Sequence, residues 1–143
     1  DPMCGSGIIP ISAFLFGSKV IAGDIEKSVI KIAKENNELK KTKIDFKVWD
    51  ATKTDLEKES VDCIVCNVPF DKQVESTYDK EKFVDEMIRV SKKNAKLIFL
   101  MDPENLLKRI LKKKYPFMKS IKITNSGLVA RIVIIDKSEK SNS

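Results

Sequence analysis

Asp1 stands ahead of the turn Cys4-Gly5-Ser6-Gly7, Asp24 ends Ala22-Gly23-Asp24, Asp50 ends Val48-Trp49-Asp50, and Asn67 opens Asn67-Val68-Pro69-Phe70. Glycines let backbone approach a ligand where a Cβ would block it, and a carboxylate just before such a turn can accept hydrogen bonds from a ligand amine. A second acid about 20 residues further on suits the vicinal hydroxyls of a ribose. Pro10 occupies the third glycine position of a dinucleotide fingerprint, and no Lys-Ser/Thr ending of a phosphate-cradling loop follows. The expected ligand is a nucleoside without phosphates.

Asn67-Val68-Pro69-Phe70 points to the other reactant. An exocyclic amine on a purine is a poor nucleophile because its lone pair is delocalised into the ring. Acceptors that engage its two hydrogens and orient that lone pair promote transfer, and Asn67 with the adjacent backbone offers such oxygens. The chain has no His, so alignment must matter more than His-based acid/base chemistry. Attack on a pyrimidine carbon would need a thiolate. Cys66 precedes Asn67, but its apolar strand context reads as buried packing, as does that of Cys4 at the turn.

The three cysteines give no disulfide framework, and Cys63 and Cys66, three apart on a strand, point to opposite faces, so no metal site is expected. With 143 residues, 42% hydrophobic and 34% charged, the chain is expected to form one globular domain over 1–136 and a disordered tail over 137–143. It shows neither a membrane-spanning run nor a signal peptide, and a cytosolic location is expected. The net charge is +6, and residues 105–122 hold seven Lys or Arg and no acid. That segment fits either a surface for a polyanion such as RNA or the solvated side of an amphipathic helix.

To position these residues, the pattern predicts helices over 7–16, 26–41, 79–93 and 103–115, the last beginning at its Pro. Strands are predicted over 19–25, 43–50, 61–67, 95–101, 118–124 and 128–136, with Ile44, Phe46 and Val48 on one side of the second. Val29, Ile30, Ile32, Ala33 and Leu39 form the apolar set of the second helix, and the last two strands join through a turn containing Gly127. Alternating strands and helices give an α/β, Rossmann-like, mostly parallel doubly wound sheet ending in an antiparallel hairpin. Ligands of such folds sit where the strands end, and there Asp1, Asp24, Asp50 and Asn67 fall. Asp24 and Asp50 also suit turn or helix-cap roles, and Phe70 a place in the core.

Taken together, Asp1 to Gly7, the acid in Ala22 to Lys27, Trp49-Asp50-Ala51-Thr52 and Cys66 to Phe70 resemble the motif ladder of class I S-adenosylmethionine-dependent methyltransferases that act on an exocyclic amine. The opening is most similar to tRNA guanine-N2 methyltransferases carrying a THUMP domain. The resemblance covers most of the chain and implies S-adenosylmethionine as cofactor. Asp1, Met3, Gly5 and Gly7 would then line its methionine part, Asp24 bind its ribose, Ile25 pack on adenine, and Asp50 with Ala51 take the adenine amino group. Asn67 and the backbone beside Pro69 would receive the target amine, Phe70 would stack on the flipped or single-stranded base, and tRNA would be the partner. Val68 departs from the Pro or Leu more often found there. The resemblance also implies that the first strand of the sheet and an RNA-binding domain lie outside this sequence. An N6-adenine or protein-glutamine methyltransferase, or a non-catalytic RNA-binding module, remains open as an alternative.

Overall fold

Apolar residues that alternate along the strands and recur every three to four positions along the helices divide this chain into two packed clusters. A computed structural model describes residues 1–70, 78–125 and 128–139. In chain order the elements are α1 (Ile8–Leu15), β1 (Ile21–Asp24), α2 (Lys27–Leu39), β2 (Asp45–Val48) and β3 (Val61–Asn67). They continue with α3 (Lys80–Val90), β4 (Ser91–Met101), α4 (Leu106–Lys114), β5 (Lys119–Asn125) and β6 (Leu128–Asp136).

The predicted single sheet is divided in two. β1 and β2 pair in parallel, while the second sheet has the order β3-β4-β6-β5, with β3 and β4 parallel and β6 antiparallel to both its neighbours. The opening residues lie alongside β1: the Asp1 N–H donates to Ile21 O, Gly23 N–H to Asp1 O and Cys4 N–H to Gly23 O. Met3 packs against the core of the second sheet, so this segment lies in the seam between the two.

In α1, Gly7 takes a left-handed conformation (φ 86°) at the N-cap, and a Cβ there would come within 3.0 Å of Phe46 and 3.3 Å of Ala33. Gly is thus required both by the turn and by the close approach of helix to strand. The helix ends in a Schellman motif, in which Gly17 (φ 89°) donates to Phe14 O and Ser18 to Ala13 O. Ile30 and Ala33 bury the inner face of α2 beneath Phe46 and Ile44. Ile32, Leu39 and Val48, expected to face inward, are exposed, because so short a two-stranded sheet covers only a narrow stripe of each element.

The second core is larger. Phe83, Val84, Met87 and Val90 of α3 and Leu107, Ile110 and Leu111 of α4 cover Ile64 and Cys66 of β3, Leu97 and Phe99 of β4, and Val133 and Ile135 of β6. Phe83 meets Phe99 edge to face, with ring centroids 6.0 Å apart. α3 stops at Val90 rather than near Lys93. Buried Ser91 already belongs to β4, and Lys137 Nζ binds Ile88 O, Ser91 O and Ser91 Oγ at 3.2, 2.9 and 2.8 Å. A cation on the final carbonyls of a helix opposes the negative end of its dipole.

α4 likewise begins later than its Pro suggested: Asn105 is the N-cap, accepting from Leu107 N–H at 2.9 Å, and Pro103 lies in the preceding turn. Lys137 to Glu139, assigned from sequence to a tail, are tied down, with Lys137 N–H on Ala95 O and Ser138 N–H on Asp136 Oδ1. The turn at Gly127 and residues 140–143 lie outside the described residues.

Candidate functional site

The carboxylate of Asp24, at the end of β1, accepts from Gly5 N–H at 2.9 Å and Glu26 N–H at 3.1 Å. It therefore clamps the glycine turn onto the strand end. Asp1 Oδ1 accepts from Met3 N–H at 3.2 Å, whereas Asp1 Oδ2 is buried without a hydrogen-bond partner. Gly5 has φ 50°, and a Cβ built there would meet nothing within 4 Å, so the turn opens onto free space. Ile25, just past the carboxylate, is 65% exposed. Asp1, Met3, Gly5, Gly7 and Asp24 are thus drawn together through the turn and β1.

Asp50 stands two residues beyond β2 rather than at its last position. Its Oδ1 accepts from the N–H and hydroxyl of Thr52, both at 2.8 Å, and Ala51 beside it is buried. Trp49, which sequence reasoning used only as part of a motif, places this loop. Its N–H donates to Asp24 O at 3.1 Å, and its indole Nε1 donates to Pro2 O at 3.0 Å. The ring lies on Gly23, where a Cβ would fall 2.4 Å from Trp49 Cε2. Trp49 and Gly23 therefore join the segments bearing Asp1, Asp24 and Asp50. The signal available in sequence was a glycine inside a short strand, which marks a close approach.

Beneath the same loop, Glu86 of α3 accepts from Thr54 N–H and Thr54 hydroxyl at 2.8 and 2.6 Å and pairs with Arg89 at 2.7 Å, while Arg89 also donates to Leu56 O. The Arg89 hydrogen bond, followed by those of Thr54, holds the Glu86 carboxyl below its ordinary pKa against the opposing effect of burial. This buried acid was not singled out from sequence, since an amphipathic helix carries many acids and only the fold turns one inward.

Asn67 is exposed at the end of β3, and its side chain makes no hydrogen bond to a described residue. Val68 is buried and its N–H donates to Leu100 O at 2.9 Å, fixing where Pro69 and Phe70, both half-buried, leave the sheet. Asn67 ends a strand of the second sheet, whereas Asp24 ends β1 and Asp50 follows β2 of the first, and no hydrogen bond joins the side chains of Asp24, Asp50 and Asn67. They share strand-end placement, with Met3 and the opening turn between them. A cavity of about 190 Å³ lies elsewhere, between Tyr115, Phe117, Met118 and Ile135, toward the opposite end of β4 from Leu100, the partner of Asn67.

The thiols do not compete for the chemistry. Burial pushes Cys66 up to about 12 and Cys4 up to about 11, so both stay protonated near neutrality. Cys63 is exposed, on the face opposite Cys66. Among the described residues no helix is long and apolar enough to cross a membrane.

A buried, unpartnered carboxylate oxygen, an open glycine turn, a strand-end acid and an exposed Ile beside it suit the amine, ribose and base of an S-adenosylmethionine-like nucleoside. Solved methyltransferases share the architecture. TrmN from Thermus thermophilus superimposes with a TM-score of 0.76 at 23% identity, over 95% of this chain and 42% of that one. Magnesium protoporphyrin IX methyltransferase from Synechocystis, solved with bound S-adenosylmethionine, gives 0.73 at 16% identity over 94% and 66%. The fold is that of the class I, S-adenosylmethionine-dependent methyltransferases. A family model described as "RMKL-like, methyltransferase domain" matches residues 1–131, and the chain belongs to that family, UPF0020. It is also 41% identical over 69 residues to the ribosomal protein L11 methyltransferase of Acetivibrio thermocellus, matching 48% of this chain and 22% of that protein. The chain thus spans well under half the length of that relative and of TrmN.

Proposed function

We propose that this domain transfers the methyl group of S-adenosylmethionine to the exocyclic N2 amine of a guanine in tRNA. The observation that carries this reading is Asn67, exposed and without a hydrogen bond to a described residue where β3 ends, followed by a buried Val68 whose N–H is fixed to Leu100 O. That leaves an amide oxygen and the backbone before Pro69 to accept both hydrogens of a planar amine, with Phe70 to stack on its ring.

The bound cofactor supplies an activated methyl on a sulfonium, which already carries its leaving group. This chain's part is to bind and align. Asp1 Oδ2 would accept from the amino group of the methionine moiety, the Asp24 carboxylate would take the ribose hydroxyls, Ile25 would pack on adenine and Asp50 would accept from its amino group. The methylated amine loses its proton to solvent water without a His, since its acidity rises sharply as the new C–N bond forms. Choice of guanine N2 and tRNA rests on the similarity of the opening motif to guanine-N2 enzymes.

Incubation with methyl-labelled S-adenosylmethionine and bulk tRNA, followed by nucleoside digestion, should give N2-methylguanosine. Similarity to an L11 methyltransferase favours a second reading, transfer to a protein nitrogen. Label in ribosomal protein and none in tRNA would establish that reading instead.

A further inference from the structure

We infer that Lys122 and Arg131 form an anchoring site for an RNA phosphate beside the catalytic end of the sheet, which deepens the proposed function and rests on RNA being the acceptor. In the antiparallel ladder of β5 and β6, Lys122 is directly opposite Arg131. Directly opposed residues project from one face with Cβ atoms about 5 Å apart, and like charges so placed repel. Neither cation pairs with a described carboxylate, whereas nearby Lys119 is bound to Glu139 and Lys96 to Asp136. Arg131 donates through Nη1 to Ser120 Oγ at 3.2 Å, and its Nε is buried with no hydrogen-bond partner. Two cations with no described carboxylate partner and a hydroxyl on one face match the charge and donors that a phosphate needs.

The position follows from the register. Asn67 pairs with Leu100, Leu100 with Ile132, and Arg131 is the next residue of β6 toward the strand-end edge, opposite Met101. Two strand spacings separate β3 from β6, so the Arg131 backbone stands about 10 Å from that of Asn67. Arg131 shares the sheet face of Val133 and Ile135, the face in the same core as α4. On α4, Lys108, Arg109, Lys112 and Lys113 also make no ion pair with a described residue, while Lys114 is bound to Asp85. α4 follows the strand-end edge at Met101 and runs away from it, so its cations continue the positive surface down the flank of the sheet. A string of phosphates can follow that path. A basic protein substrate would be repelled by it.

Nitrocellulose-filter or fluorescence titration with unmodified tRNA transcript tests the site. The wild-type protein is compared with Lys122→Gln, Arg131→Gln, and Lys43→Gln as an exposed charge ahead of β2 of the other sheet. Lys122 is exposed, so its variant keeps the fold, and S-adenosylhomocysteine affinity should be unchanged in all. The expected result is about tenfold weaker tRNA binding for Lys122→Gln, with the slope of log affinity against log salt shallower by about one. Lys43→Gln should leave both unchanged. If Lys122→Gln binds tRNA as the wild type does while N2-methylguanosine still forms, the anchor is overturned and the methylation reading stands. Equal losses for Lys43→Gln and Lys122→Gln would mean diffuse charge and also overturn it. A wild-type protein that neither binds nor methylates tRNA overturns both.

Discussion

The indole Nε1 of Trp49 donates to the carbonyl of Pro2 across 3.0 Å, joining the loop after β2 to the segment that opens the chain. With the ring seated on Gly23, this contact orders three strand-end segments at once, and each carries one of the acids suited to a nucleoside.

Trp49→Phe keeps most of the apolar contact and leaves the Pro2 carbonyl unpaired in a buried place. The expected loss of stability is about 1–3 kcal/mol, read as a lower denaturant midpoint at unchanged slope. S-adenosylhomocysteine affinity, measured by calorimetry, should fall with it. Gly23→Ala drives a methyl into the indole and should displace the same loop, destabilising by about 1–3 kcal/mol through overpacking.

Asn67→Ala removes an amide that makes no hydrogen bond within the described protein, so thermal stability should hold. The turnover rate should drop roughly 10²–10³-fold, the cost of losing one well-placed polar group at a reacting centre. Cofactor affinity measured by calorimetry should change far less than the rate.

Glu86 gives a prediction with a definite sign. Its carboxyl is held below the ordinary glutamate pKa of 4.5, so its stabilising contribution is fully present above that pH and fades as pH falls through the lowered folded value. Glu86→Gln loses the ion pair with Arg89, which is partly exposed, and should cost about 1–2 kcal/mol at neutral pH. The difference between wild type and variant should shrink in acid, as urea titrations at a series of pH values would show.

Cys66→Ala should still transfer methyl groups, because a thiol pushed up to about 12 is not the nucleophile. In the folded protein a thiol-alkylating reagent should modify Cys63 and spare Cys4 and Cys66, and unfolding should expose all three to mass-spectrometric detection. Loss of activity in Cys66→Ala with an intact fold would point to carbon methylation instead.

The strand-end placement of the candidate site residues was legible because it is local. A glycine turn needs Gly at Gly7 whatever surrounds it, and an acid or Asn at the end of an apolar strand is visible as a change of pattern, so Asp24 and Asn67 fall where the alternation stops. Helix ends were less legible. α3 stops early where Lys137, far away in sequence, binds the Ile88 carbonyl in its last turn, and α4 starts late because the Asn105 side chain takes the Leu107 N–H. Propensity alone cannot weigh such contacts.

From its order of residues this chain determined the alternation of strands and helices, the glycine turn and the strand-end polar groups, because these depend on backbone conformation and on periodicities of two and 3.6 residues. Folding in three dimensions decided which distant residues share a surface. It set Trp49 on Gly23, turned Glu86 inward beneath Thr54, and brought Lys122 opposite Arg131. Such pairings depend on strand register and on helix rotation, and neither is encoded within a single segment; both emerge only when separate segments pack against one another.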